Sequence, residues 1–140
     1  MAVVERFEEL RIWQMARELC QEVYLHTETQ PWKTDTRFVQ QIRAAAGSVM
    51  DNIAEGFERD GNKEFIQFLY VAKGSCGEVR SQIIRASDTN FLNHTDAKRL
   101  YNVCLELSSA IAAFIKSLKK SSITGSKYLK LETRNMKHET

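Results

Sequence analysis

Proline is nearly absent from this chain: Pro31 is the single copy in 140 residues, and only six glycines accompany it. So few breakers leave room for long uninterrupted helices, and with 43% hydrophobic residues the length suits one compact domain. Long apolar runs are missing too. The longest wholly apolar stretch, Ala110 to Ile115, falls far short of the roughly 18 residues a membrane span needs. The start, Met1-Ala2-Val3-Val4-Glu5-Arg6, has no cationic segment followed by an apolar core, so no secretory signal is read. The expected location is cytoplasmic, with no membrane partner. Cysteine is scarce and odd in number: Cys20, Cys76 and Cys104 form no CxxC pair and lie on apolar lanes, as buried reduced thiols do. Metal-ligand spacing is absent: no Glu-x-x-His occurs, and His26, His94 and His138 fall at a helix end, a linker and the C-terminal stretch. No metal and no cofactor are expected.

Neither sign of charge dominates. The formal net charge is +2, but it is unevenly spread. Lys119, Lys120, Lys127, Lys130, Arg134 and Lys137 face only Glu132 and Glu139 at the C-terminal end, which leaves the body slightly acidic. A basic tail adds non-specific attraction to polyanions, although solvated tails are common without a ligand.

What the chain does contain is helical periodicity, four times over. Ile12, Trp13, Ala16, Leu19, Cys20, Val23 and Tyr24 mark a first helix from about Leu10 to Thr29, ended by Pro31. Thr34 or Asp35 offers a cap for a second, roughly Asp35 to Glu58. After a turn at Asp60-Gly61-Asn62, a third runs to about Ser87 on a seam of Phe65, Phe68, Leu69, Ala72, Cys76, Val79 and Ile83. Phe91 and Leu92 plug one end of the core, and Thr95 caps a fourth helix with a Leu100, Val103, Leu107, Ile111, Phe114, Leu118 seam, ending near Lys120. The expected fold is all-α, an antiparallel up-down four-helix bundle over residues 1–120, with a flexible basic C-terminal tail over 121–140.

The second helix has more lanes than a surface helix requires. Beside its apolar seam (Phe38, Ile42, Val49, Ile53, Phe57) runs a polar ladder of Gln41, Ser48, Asn52, Glu55 and Arg59. A polar network within or between subunits, a ligand site and a catalytic site are the readings open to it; no histidine or cysteine stands with it to support the last. On the third helix Gly74 and Gly77 each cost about 1 kcal/mol relative to alanine, and Gly74 points away from the seam. Close approach by a second subunit, with Ser75 and Glu78 adjacent, gives those glycines a purpose. Arg43, Arg59, Lys63, Lys73 and Arg80, joined by Lys127 and Lys130 beside Tyr128 in the tail, are the candidates for contact with RNA or DNA phosphates. Acidic residues are interspersed among them.

These motifs carry a resemblance. Phe7-Glu8-Glu9-Leu10-Arg11-Ile12-Trp13-Gln14, Val23-Tyr24, Gln41-Ile42-Arg43, Ala45-Ala46, Ser48, Asn52-Ile53-Ala54-Glu55-Gly56, Arg59, Glu64-Phe65, Phe68-Leu69, Ala72, Gly74-Ser75 and Glu78 recur in order. They resemble the small four-helix-bundle proteins first noted as reading frames in intervening sequences of bacterial 23S ribosomal RNA genes. More distantly, the chain is similar to the accessory proteins of diversity-generating retroelements. The resemblance covers about residues 7–118 and implies a ring-like homopentamer, with nucleic-acid binding in the more distant relatives and no established enzymatic activity. One departure stands out: the family's second helix usually carries two adjacent arginines, and here the second position is Ala44. The expectation is a non-enzymatic homo-oligomer, associated with nucleic acid or, as the alternative, a protein-interaction scaffold that docks a protein partner without it.

Overall fold

In the computed structural model, residues 4–121 are described, and they form four α-helices with no strand among them. The helices are α1 (Arg11–Thr27), α2 (Thr36–Phe57), α3 (Asn62–Asp88) and α4 (His94–Lys120). Tail residues Lys127, Tyr128 and Lys130 lie outside the described part. Short connections force each helix to run back along its predecessor. The most extensive contacts join α2 to α3 and α3 to α4; α1 lies on α2 and meets α4 along the weakest side. Among the described residues no helix is long and apolar enough to cross a membrane.

The periodic seams become one core. Leu19, Ala46, Val49, Ile53, Leu69, Ala72, Val79, Cys104, Leu107 and Ile111 are all solvent-free, as expected where apolar stripes of four helices converge. Burial of such side chains contributes about 1.5–3 kcal/mol each for the larger ones. Two parts of the core come from outside the helices. Val4 and Leu10 flank a 3-10 turn (Phe7–Glu9) and are buried, with Phe7 against Trp13 at 5.2 Å between ring centroids. Trp32, in a second such turn (Trp32–Thr34), is 1% exposed and closes the opposite end with Phe38, Phe91 and Leu92.

Helix ends follow local chemistry. Asp35 caps α2 by accepting from the Phe38 N–H at 3.0 Å. Asn93, not Thr95, caps α4, accepting from the Asp96 N–H at 2.8 Å. α1 stops at Thr27, four residues before Pro31, where the Thr27 and Thr29 hydroxyls donate to the carbonyls of Val23 and His26 at 2.7 Å each. The end of α3 is a Schellman motif. Asn90 takes a φ of 64°, the Phe91 N–H returns to the Ala86 carbonyl at 2.8 Å, and the Asn90 N–H to Ser87 at 3.1 Å. Between α2 and α3 the reversal uses Gly61 at φ 94°, a conformation open mainly to glycine.

Candidate functional site

The polar lane of α2 divides into three hydrogen-bonded groups, each closed within this chain. At one end Arg85 of α3 donates to Gln41 Oε1 at 3.3 Å. In the middle, the Ser48 and Ser75 hydroxyls meet at 2.8 Å across α2 and α3, while Asn52 Nδ2 donates to the Ser48 carbonyl at 2.8 Å and to its hydroxyl at 3.0 Å. At the far end Arg59 reaches back to Glu55 at 3.4 Å, an exposed pair one turn apart that stabilises by a few tenths of a kcal/mol at most, order-of-magnitude. The arrangement fixes the register of α2 on α3. It holds no nucleophile paired with a base.

Of the candidate cations among the described residues, the three arginines are engaged and the two lysines are not. Arg43 donates from Nε to Thr27 Oγ1 at 2.9 Å and pairs with Glu28 at 3.1 Å, its guanidinium carbon 4.4 Å from the Tyr24 ring centroid. It therefore ties the end of α1 to α2. Arg59 lies over Phe68 at 5.1 Å and Arg80 over Tyr101 at 5.8 Å. Lys63 is exposed and Lys73 half-buried, both on α3 with no carboxylate within ion-pair distance among the described residues. Lys127 and Lys130 lie outside the described residues.

The outward side of α3 is different in kind. Among the described residues, a Cβ placed on Gly74 or Gly77 would meet nothing within 4 Å, so neither glycine serves packing among them. Around them stand Tyr70, Val71 and Ile84, about half exposed each, with Glu78 exposed beside them. Gly56 is the glycine that packing does require, where its absent Cβ would lie 2.6 Å from Phe68 Cβ. Sequence reasoning passed over it, although the large Phe65 and Phe68 just beyond the turn point to such a crowding.

A second exposed apolar surface lies on α1. Tyr24 and Leu25, the latter 69% exposed, border a shallow depression of about 720 Å³ that Cys20 and Met50 also line. It runs on, across Tyr24, into a more polar one of about 650 Å³ over Gly47, Ser48 and Asn52. Arg17, Cys20 and Glu28 line the first and Arg43 and Asp51 the second. Burial pushes the Cys20 thiol above its usual range. Cys104 is pushed well above it by its hydrogen bond with Cys76 and by burial. The Glu22 carboxyl is held below its ordinary value by the hydrogen bonds from Arg99, which bridge α4 to α1. Among the described residues no His, Cys, Asp or Glu cluster could hold a metal ion. Ser87 and His94 Nδ1 approach to 3.1 Å where α3 passes to α4, without a third group to orient the ring.

The family model described as 23S rRNA-intervening sequence protein matches residues 8–113. No curated protein matches the chain. Among solved structures, the chain is similar to a protein of unknown function from the S23 ribosomal protein family of Bacteroides thetaiotaomicron, with 17% identity and a TM-score of 0.69. That likeness covers 75% of this chain and 95% of the other, and it concerns the four-helix fold.

Proposed function

This chain belongs to the 23S rRNA-intervening sequence protein family, and we propose that it works as a non-enzymatic bundle whose copies associate with one another and together engage nucleic acid. The observation that carries the assembly is the outward face of α3, where Gly74 and Gly77 lie open between Tyr70, Val71 and Ile84. Mid-helix glycine is costly on a solvated surface; close approach of another helix gives that cost a return. A pentameric ring, the assembly implied by the sequence resemblance, is the form proposed. It would multiply modest basic features, Lys63, Lys73 and the tail residues Lys127 and Lys130, into a collective surface.

Light scattering tests the assembly: we expect a multiple of the 16.1 kDa chain mass, and Gly74→Leu, which has room within the chain, should reduce it to a folded monomer. A wild-type monomer at micromolar concentration rejects the assembly. Binding to ribosomal RNA and to DNA across a salt series tests the second half. The engagement of Arg43, Arg59 and Arg99 by carboxylates favours the alternative, a scaffold for a protein partner. Recovery of a partner from nuclease-treated lysate without bound nucleic acid would support that alternative.

A further inference from the structure

The end of the bundle where α2 begins and α3 finishes brings together chemistry that neither helix shows alone. Asp35, Arg37, Gln41, Arg85, Thr89 and Phe91 line a depression of about 510 Å³. Its floor is aromatic: Phe38 stacks with the buried Trp32 at 4.9 Å, and Phe91 meets Trp32 at 5.2 Å and Phe38 at 5.9 Å. On this cluster lies Arg85, its guanidinium carbon 4.1 Å from the Phe38 ring centroid and one amino group on Gln41 at 3.3 Å. Arg85 is exposed even though its guanidinium lies over Phe38. Among the described residues, neither Arg85 nor Arg37 has a carboxylate within ion-pair distance. That separates them from Arg43, Arg59 and Arg99.

We propose that this depression receives one nucleotide of a single-stranded nucleic acid, an assignment that rests on the nucleic-acid half of the function proposed above. The base stacks on the exposed Arg85, beside the Phe38 and Trp32 rings; guanidinium planes and aromatic rings are the usual platforms for unpaired bases. The phosphate is met by Arg37, whose donors have no acceptor within the chain among the described residues. Asp35 also lines the depression. It uses one oxygen to cap α2, and its other suits the exocyclic amino group of a base. The Thr89 hydroxyl donates to the Arg85 carbonyl at 2.9 Å, which leaves its lone pairs as acceptors at the rim. A paired base, covered on both faces by its neighbours, cannot use such a platform, so the site selects single strands.

The test is fluorescence anisotropy with a short labelled single-stranded RNA, its DNA counterpart and the matching duplex, titrated with the full chain across a salt series. We expect the single strands to bind more tightly than the duplex. Arg37→Ala should weaken binding by about tenfold and lower the salt slope by about 0.7, the loss of one phosphate contact. Arg85→Lys should weaken it by about tenfold with the slope unchanged, because charge is kept and the stacking plane is lost. Among the described residues Arg37 makes no hydrogen bond or ion pair, so its variant is expected to fold as the wild type does, and circular dichroism checks both. If the wild type binds the strand and both variants bind equally well, the site is refuted and the nucleic-acid reading stands. Loss of affinity in Arg37→Ala alone overturns the placement of the base. A wild type that binds no better than a neutral control protein at low salt overturns the reading and the site together.

Discussion

A methyl group added at Gly56 would meet Phe68 Cβ at 2.6 Å and Phe65 Cδ1 at 2.9 Å, and neither atom is the free end of a flexible chain. Gly56→Ala is therefore expected to destabilise the fold by about 1–3 kcal/mol despite the gain in helix propensity. Gly47, nine residues earlier and on the opposite side of α2, has open space where its Cβ would stand. Gly47→Ala should stabilise by about 0.5–1 kcal/mol. Urea denaturation of the two variants against the wild type reads both signs in one experiment. The thiols give a second contrast. Cys76 and Cys104 are buried in the core, whereas Cys20 borders an open depression. A thiol-reactive chromophore should titrate one group in the folded protein, slowly because burial raises the Cys20 pKa, and all three cysteines once it is unfolded.

Among the helices, the join between α1 and α4 is the weakest side of the bundle, and the Glu22–Arg99 bridge spans it with two hydrogen bonds. Because the folded Glu22 carboxyl lies below its ordinary value near 4.5, the bridge stabilises above that pH and is lost as pH falls through the folded value. Glu22→Gln should thus lower the urea midpoint at neutral pH, and the difference from wild type should shrink towards zero in acid. Much of this level was legible in the residues: four apolar periods placed four helices, and Asp35 was one of the two caps offered for α2, with Thr34. The helix ends were less so, since Asn93 and Thr95 have the same capping chemistry and only the path of the chain chooses between them. Trp32 and Val4 went unread because they lie in segments without a period, where nothing in the sequence says which side chain turns inward. The Ser48 and Asn52 lane was visible, but its closure on Ser75 depends on how deep α2 sits against α3. Arg37 and Arg85 belong to different helices and share no lane, so only the fold brings them together.

For the molecule as a whole, a closed ring of odd number needs two different surfaces that fit each other, whereas a single self-matching surface stops at a dimer. The bundle offers two such surfaces, on helices without substantial mutual contact: the α3 face around Gly74, and the α1 face where Tyr24 and Leu25 are exposed. If they meet across the proposed assembly, Leu25→Glu should break it as Gly74→Leu does, with each variant remaining folded. Mixing the two variants leaves one intact pairing of surfaces, so light scattering should then report dimers and nothing larger. Recovery of the full assembly from the mixture, or no association at all, would separate these surfaces from the contact between copies.

The tight meeting of Gly56 with Phe65 and Phe68 also has a temporal side. It lies next to the Gly61 turn, so the chain that must close to make it is among the shortest in the molecule, and loops of about 10 residues close in about 10–100 ns. Contacts so local form before distant ones in the search for the native state. The α2–α3 hairpin is therefore expected to form the nucleus. Stopped-flow measurements on Gly56→Ala should show a slower refolding limb with the unfolding limb little changed, and the reverse for Glu22→Gln.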